Sequence, residues 1–157
     1  MQHKILYICT HNRCRSILAE AVTRHLAGDK IVAASAGSSP AQKVHPLSLR
    51  YLAESGISIE GLHSQSWGEF EAFHPSLIIT LCDQAAAEPC PVWFAEGSSI
   101  HWGLPDPSKM NGSEEEVGAI FNATIDRLMR VISQVVETDI GEQTQTEFAN
   151  HFQQLTE

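Results

Sequence analysis

The sequence predicts an α/β fold, a single domain with a four-stranded parallel sheet and helices on both faces. Three observations predict it. Short apolar runs alternate with segments of helical periodicity. The strongest runs, Lys4 to Cys9 and Leu77 to Leu81, are continuous rather than alternating, as in strands buried on both faces. Finally, 157 residues at 43% apolar content suffice for one core without disulfide or metal staples.

The elements follow in order. After the strand ending at Cys9, Ile17, Leu18, Ala21, Val22, His25 and Leu26 recur at helical spacing, and Gly28 offers a stop. Ile31 to Ala36 reads as a second strand and Gly37-Ser38-Ser39-Pro40 as a loop. Pro46 opens a helix that carries Leu49, Leu52 and Ala53 towards Gly56. Trp67, Phe70 and Phe73, three residues apart, read as core rather than as a cofactor platform. The third strand is Leu77 to Leu81; a weaker fourth, Ser98 to Trp102, runs into the turn Gly103-Leu104-Pro105-Asp106-Pro107. Ser113 and Glu116 form a capping box for a long helix. Its apolar face carries Val117, Ile120, Phe121, Ile125, Leu128, Ile132 and Val135, and it ends near Glu137. Residues 138–157, rich in Gln, Glu and Thr, are expected to be a loosely docked helix or a frayed tail.

Ten basic against nineteen acidic residues, a net charge of −9, argue against binding nucleic acid or an anionic membrane. The first residues lack the pattern of a signal peptide, and no window approaches a membrane span. Cys9, Cys14, Cys82 and Cys90 are therefore expected to be thiols in a reducing compartment, the cytoplasm, in a protein expected to be a monomer.

Six residues separate the end of the first strand from the helix starting near Ser16, enough for the amides of Thr10, His11, Asn12, Arg13, Cys14, Arg15 and Ser16 to curl round an anion at a helix N-terminus. The positive helix end and the Arg15 guanidinium favour thiolate over thiol at Cys9, making it a nucleophile. Arg15 offers a planar fork of donors to two ligand oxygens, and Ser16 can hydrogen-bond the thiolate. The loop is not a Walker motif, because its Gly and Gly-Lys-Ser/Thr positions are absent. Asp106, between two prolines after a strand, can hold a carboxyl over the cradle and protonate a departing oxygen.

Cys9 to Ser16, Ser35-Ala36-Gly37, the Pro46 helix with Gly56-Ile57, His63-Ser64 and Asp106-Pro107 together resemble the low-molecular-weight protein tyrosine phosphatases and the thioredoxin-coupled arsenate reductases of the same fold. The resemblance spans roughly residues 4 to 136. It implies a phosphatase-like catalytic domain over residues 1–137, with Cys9 as nucleophile, Arg15 as oxyanion ligand and Asp106 as general acid.

Both chemistries share those three residues, and the remaining cysteines separate them. Cys82 ends the third strand on the sheet edge of Cys9, and Cys90 follows eight residues later. The resemblance to the reductases implies that Cys9 forms an arsenic adduct, Cys82 attacks Cys9 to release arsenite, and Cys90 resolves that disulfide. Residues eight apart in a helix are ~12 Å apart, whereas a disulfide needs Cα atoms within ~7 Å, so the segment between them must rearrange. The reduced state would be restored by an external thiol donor, thioredoxin or glutaredoxin with glutathione, and no bound cofactor is expected.

The sequence departs from the family pattern at three points. Ser108 and Lys109 stand where the phosphatases carry tyrosines, and the Cys82 to Cys90 spacing is one residue longer than the familiar reductase spacing. Some relatives bind potassium through positions matched by Asn12, Glu20 and Ser35, but Ser66 replaces an acidic ligand, and the histidines show no metal-ligand spacing, so no metal is expected. Cys14 reads as a packed neighbour able to bond Cys9 on oxidation. His11 either shapes access to the cradle or faces solvent. The leading reading is arsenate reduction. The alternatives are hydrolysis of phosphotyrosine or aryl phosphates through a Cys9 phosphocysteine, and a non-catalytic oxyanion sensor.

Overall fold

The computed structural model describes residues 2–82 and 97–157. The four strands, β1 (His3–Ile8), β2 (Ile31–Ala36), β3 (Leu77–Thr80) and β4 (Ser98–His101), form one parallel sheet in the order β2-β1-β3-β4. The expected four-stranded parallel sheet is therefore present. Register pairs Ile5 with Ala33 on one side and with Leu77 on the other, and Leu77 in turn with Ser98. β1 is flanked on both sides and has almost no exposed position. Its continuous apolar run is what a central parallel strand requires. β4 alternates between exposed and half-buried positions because it pairs only with β3 among the described residues, which explains its weak apolar signal.

The helices are α1 (Arg15–Ala27), α2 (Pro46–Glu54), α3 (Glu114–Val136) and α4 (Gln145–Thr156). All four contribute to the larger core, where Ile5, Tyr7, Leu77 and Ile79 of the sheet meet Leu18, Leu52, Phe121, Leu128 and Ile132. Tyr7 is fully buried with its hydroxyl 2.7 Å from Thr23, and because Thr23 donates to the carbonyl of Ala19, the tyrosine must be the donor. Gly118, in the second turn of α3, lets that helix approach α2: a Cβ there would lie 2.6 Å from the Tyr51 hydroxyl. The opposite face of the sheet buries Leu6, Ile8, Ala34, Ala36 and Ile78 beneath a 3-10 helix, Trp67–Phe73, whose Trp67, Phe70 and Phe73 are half-buried there.

Of the two forms expected for the last twenty residues, a loosely docked helix or a frayed tail, the structure has the helix, and it is docked firmly rather than loosely. Thr144 and Glu147 form a complete capping box for α4, and Phe148 and Phe152 are fully buried. The His3 ring stacks on Phe148 at 4.0 Å between centroids, and its Nε2 lies 2.7 Å from the carbonyl oxygen of Ile140. The physical reason is that two phenylalanines four residues apart share one helical face, so a polar segment still has an apolar stripe to bury. Each such burial contributes on the order of 2 kcal/mol. No helix among the described residues is long and apolar enough to cross a membrane.

Candidate active site

The loop between β1 and α1 lies beyond the carboxyl end of the central strand, the position at which open parallel sheets place ligands. Its shape is imposed from outside. Ser39 donates its amide to the carbonyl of Thr10, Ala41 to that of His11 and His45 to that of Arg13, all at 2.9 or 3.0 Å. Side-chain hydroxyls of Ser64 and Ser48 add second bonds to His11 and Arg13. Because C=O and the next N–H point opposite ways across a planar peptide, outward carbonyls at Thr10 and Arg13 turn the amides of His11 and Cys14 the other way. Gly37 permits this packing: a Cβ there would stand 2.5 Å from the carbonyl oxygen of Thr10.

Asn12 pins the loop from behind. It takes a left-handed φ of 46° and is fully buried. Its Oδ1 accepts the amide of Gln65 at 2.8 Å, while its Nδ2 donates to Ser16 at 2.8 Å and to Ser35 at 2.9 Å. Ser16 Oγ, already an acceptor from Asn12, has its own proton free for Cys9 Sγ, 2.8 Å away. When Cys9 is ionised its sulfur can only accept, and the Ser16 hydroxyl is in place to donate to it. The Ser35 hydroxyl donates a hydrogen bond to Glu20 Oε1 at 2.5 Å, and the other Glu20 oxygen pairs with Arg24. Burial pushes the Glu20 carboxyl up, and the bond from Ser35 and the charge of Arg24 oppose it.

Asn12, Glu20 and Ser35, the positions matched to a potassium site in some relatives, are thus joined to one another and to Gln65 and Arg24, and Ser66 uses its hydroxyl to cap the 3-10 helix. Among the described residues no group of three His, Cys, Asp or Glu side chains is placed to hold a metal.

In front of the loop is a cavity of about 210 Å³ lined by Cys9, Thr10, His11, Arg13, Cys14, Arg15, Cys82, Asp106 and Lys109. The first turn of α1 faces it without a capping side chain, whereas α3 and α4 carry capping boxes. Uncapped amides and the helix dipole make this end attractive to an anion. The Arg15 guanidinium donates to the carbonyl of Leu104 at 2.9 Å and stands 3.6 Å from Asp106 Oδ2, with both side chains largely shielded. Oδ1 of Asp106 accepts both the amide and the hydroxyl of Ser108, at 2.9 and 2.6 Å.

Cys9, Cys14 and Cys82 are all buried, and Cys9 and Cys14 are free thiols. Cys82 Sγ is 3.5 Å from the Thr10 hydroxyl, so the segment just after β3 delivers a third sulfur to the cavity wall, beside Cys9 and Cys14. Burial pushes the Cys14 thiol up to about 12, against the favourable bonds from Ser48 and Ser108. His45, which caps α2, is lowered by burial and by the charge of Arg13, with Asp106 opposing.

The structure therefore gathers Cys9, Thr10, His11, Arg13, Cys14, Arg15, Cys82 and Asp106 at one cavity, and sets Asn12 and Ser16 behind the loop as its support. Cys90 and the segment expected to rearrange lie outside the described residues. The sequence reading did not place Ser108 on the Asp106 carboxyl, nor Lys109 and Gln65 at the site. A serine two residues after an aspartate in a proline turn is a signal for the first of these.

A thiol at the floor, an arginine fork and an uncapped helix start suit a small anion and define a cysteine-based oxyanion-handling α/β enzyme. The chain belongs to the low molecular weight phosphotyrosine protein phosphatase family, whose model matches residues 4–146. Within it, an arsenate reductase of Halalkalibacterium halodurans is 34% identical over 139 residues, 88% of this chain and 99% of its own length. A glutaredoxin arsenate reductase of Synechocystis is 33% identical over 66% of this chain and 78% of its own. A solved arsenate reductase in a phosphate-binding state superposes with a TM-score of 0.68 at 27% identity, covering 85% of this chain and 98% of that one. The family expected from the motifs is thus the family found.

Proposed function

We propose that this chain is an arsenate reductase acting through a cysteine relay. The observation that carries the proposal is Cys82, from outside the loop, in the wall of the cavity that holds Cys9 and Cys14, a sulfur that phosphoester hydrolysis does not need. The curated names of its relatives support the same reading.

Arsenate binds with two oxygens on Arg15 and the others on loop amides. The Cys9 thiolate attacks arsenic, forming an S–As bond, as an As–O bond breaks; Asp106 gives the departing hydroxyl a proton and it leaves as water. Arsenic is still pentavalent. The Cys82 thiolate then attacks the Cys9 sulfur, and the S–As electron pair leaves with arsenic as arsenite, so two electrons pass from two thiolates to arsenic. Cys90 attacks Cys82 and releases Cys9. An external dithiol of the thioredoxin or glutaredoxin kind reduces the Cys82–Cys90 disulfide. Thr10 holds Cys82 beside the loop, and Ser16 and Asn12 keep Cys9 oriented.

Incubation with arsenate, a thioredoxin or glutaredoxin system and NADPH tests this. The wild type consumes reductant in proportion to arsenate and not to phosphate. Cys82→Ser loses at least 99% of that turnover. Unchanged arsenate reduction in Cys82→Ser sinks the relay, and phosphotyrosyl hydrolysis that survives Cys82→Ser and Cys90→Ser, without arsenate-dependent thiol oxidation, selects the phosphatase reading.

A further inference from the structure

We infer that Ser108 is a positioning residue for Asp106, selecting the carboxyl oxygen that carries the proton. The inference rests on the reading of Asp106 as the general acid.

A carboxylic acid carries its proton on one oxygen, and the wrong choice leaves it facing away from the bond that must break. Two donors decide the choice at Asp106. The Ser108 amide reaches Oδ1 at 2.9 Å and the Ser108 hydroxyl reaches the same atom at 2.6 Å. An amide N–H cannot reverse its role, so a proton on Oδ1 would be opposed by the N–H and would compete with the hydroxyl. Among the described residues Oδ2 meets no such bond, since the Arg15 guanidinium at 3.6 Å is beyond hydrogen-bond distance, and it is therefore the oxygen that carries the proton when Asp106 acts as an acid. That oxygen is the one turned towards Arg15, 3.6 Å from the guanidinium that lines the anion cavity. The hydroxyl bond has the short length of O–H donation to a carboxylate and reinforces the amide.

Geometry also explains why one serine suffices. Asp106 caps the short 3-10 turn Pro107–Lys109, and Pro107 fixes the backbone between the two residues. The hydroxyl thus returns to the carboxyl from a rigid two-residue span. During attack by Cys9 the proton moves from Oδ2 to the departing oxygen, water leaves, and the carboxylate that remains keeps both Ser108 bonds.

Single-turnover arsenite formation, with protein in excess over arsenate and no external reductant, tests the inference. Asp106→Ala sets the scale of the acid step. Ser108→Ala is expected to lower the maximum rate about tenfold while the half-saturating concentration changes less than twofold, because the amide bond and the cavity remain. Ser108→Thr, which keeps the hydroxyl, restores the rate to within threefold. In the Asp106→Ala background, Ser108→Ala has no further effect, since the group it serves is gone. The inference is overturned if Asp106→Ala is slow while Ser108→Ala matches the wild type. It is equally overturned if Ser108→Ala costs the same factor with or without Asp106. Should Asp106→Ala itself run at the wild-type rate, the acid assignment falls, and the role of Ser108 falls with it.

Discussion

The two cysteines of the loop meet different neighbours. Cys9 Sγ faces the hydroxyl of Ser16, which also accepts from Asn12, whereas Cys14 is pushed up from 9.0 to about 12 by burial. Cys14 is accordingly a thiol at neutral pH. Its folded value exceeds its unfolded one, so its contribution to stability is fully present below pH 9 and is lost as pH rises towards 12. A urea midpoint that falls from pH 9 to 11, and falls less in Cys14→Ala, is the expected result; equal slopes in the two proteins would reject it. At this scale the sequence was most legible where chemistry lies in contiguous residues. Cys9, Arg15 and the loop between them announce themselves by spacing. Asn12 does not, because its work is to hold Gln65, Ser35 and Ser16, partners from other parts of the chain that only folding assembles. Ser108 was seen only as a residue where tyrosine was absent, and its bond to Asp106 needed the turn to be built.

Among the elements, strands and the long helix were readable because burial writes periodicity into them. β1 and β3 are apolar on both faces, and α3 carries a capping box followed by a continuous stripe. α4 was harder, since only Phe148, Ala149 and Phe152 are buried in a helix otherwise rich in polar residues. The Thr144 and Glu147 capping box was present as a signal, but overall polarity outweighed it. α4 also lies almost wholly beyond the residues matched by the family model, which end at 146. Phe148→Ala should cost about 3–5 kcal/mol, because it removes a ring stacked on His3 and leaves a cavity against Phe152. Urea denaturation measures this directly, and a loss below 1 kcal/mol would show that α4 is not integral to the core.

For the whole molecule, a net charge of −9 surrounds a cavity to which Arg13, Arg15 and Lys109 contribute. Attraction for an oxyanion is therefore local. The sheet order makes β1 the strand from which the loop is hung, with β2 and β3 on either side supplying Gly37 and Cys82 near its end. Native-state hydrogen exchange should find the β1 amides protected up to the global unfolding free energy, with β4 amides exchanging through smaller openings. Exchange of β1 at the β4 level would contradict a sheet organised round that strand.

The clamp between the start of β1 and α4 has a consequence for how the protein is made. His3 and Phe148 stand 145 residues apart in sequence (148 − 3), yet they close on each other. The central strand therefore stays partly uncovered until the later segment has been made and has docked. During that interval the nascent chain exposes apolar surface and depends most on chaperones.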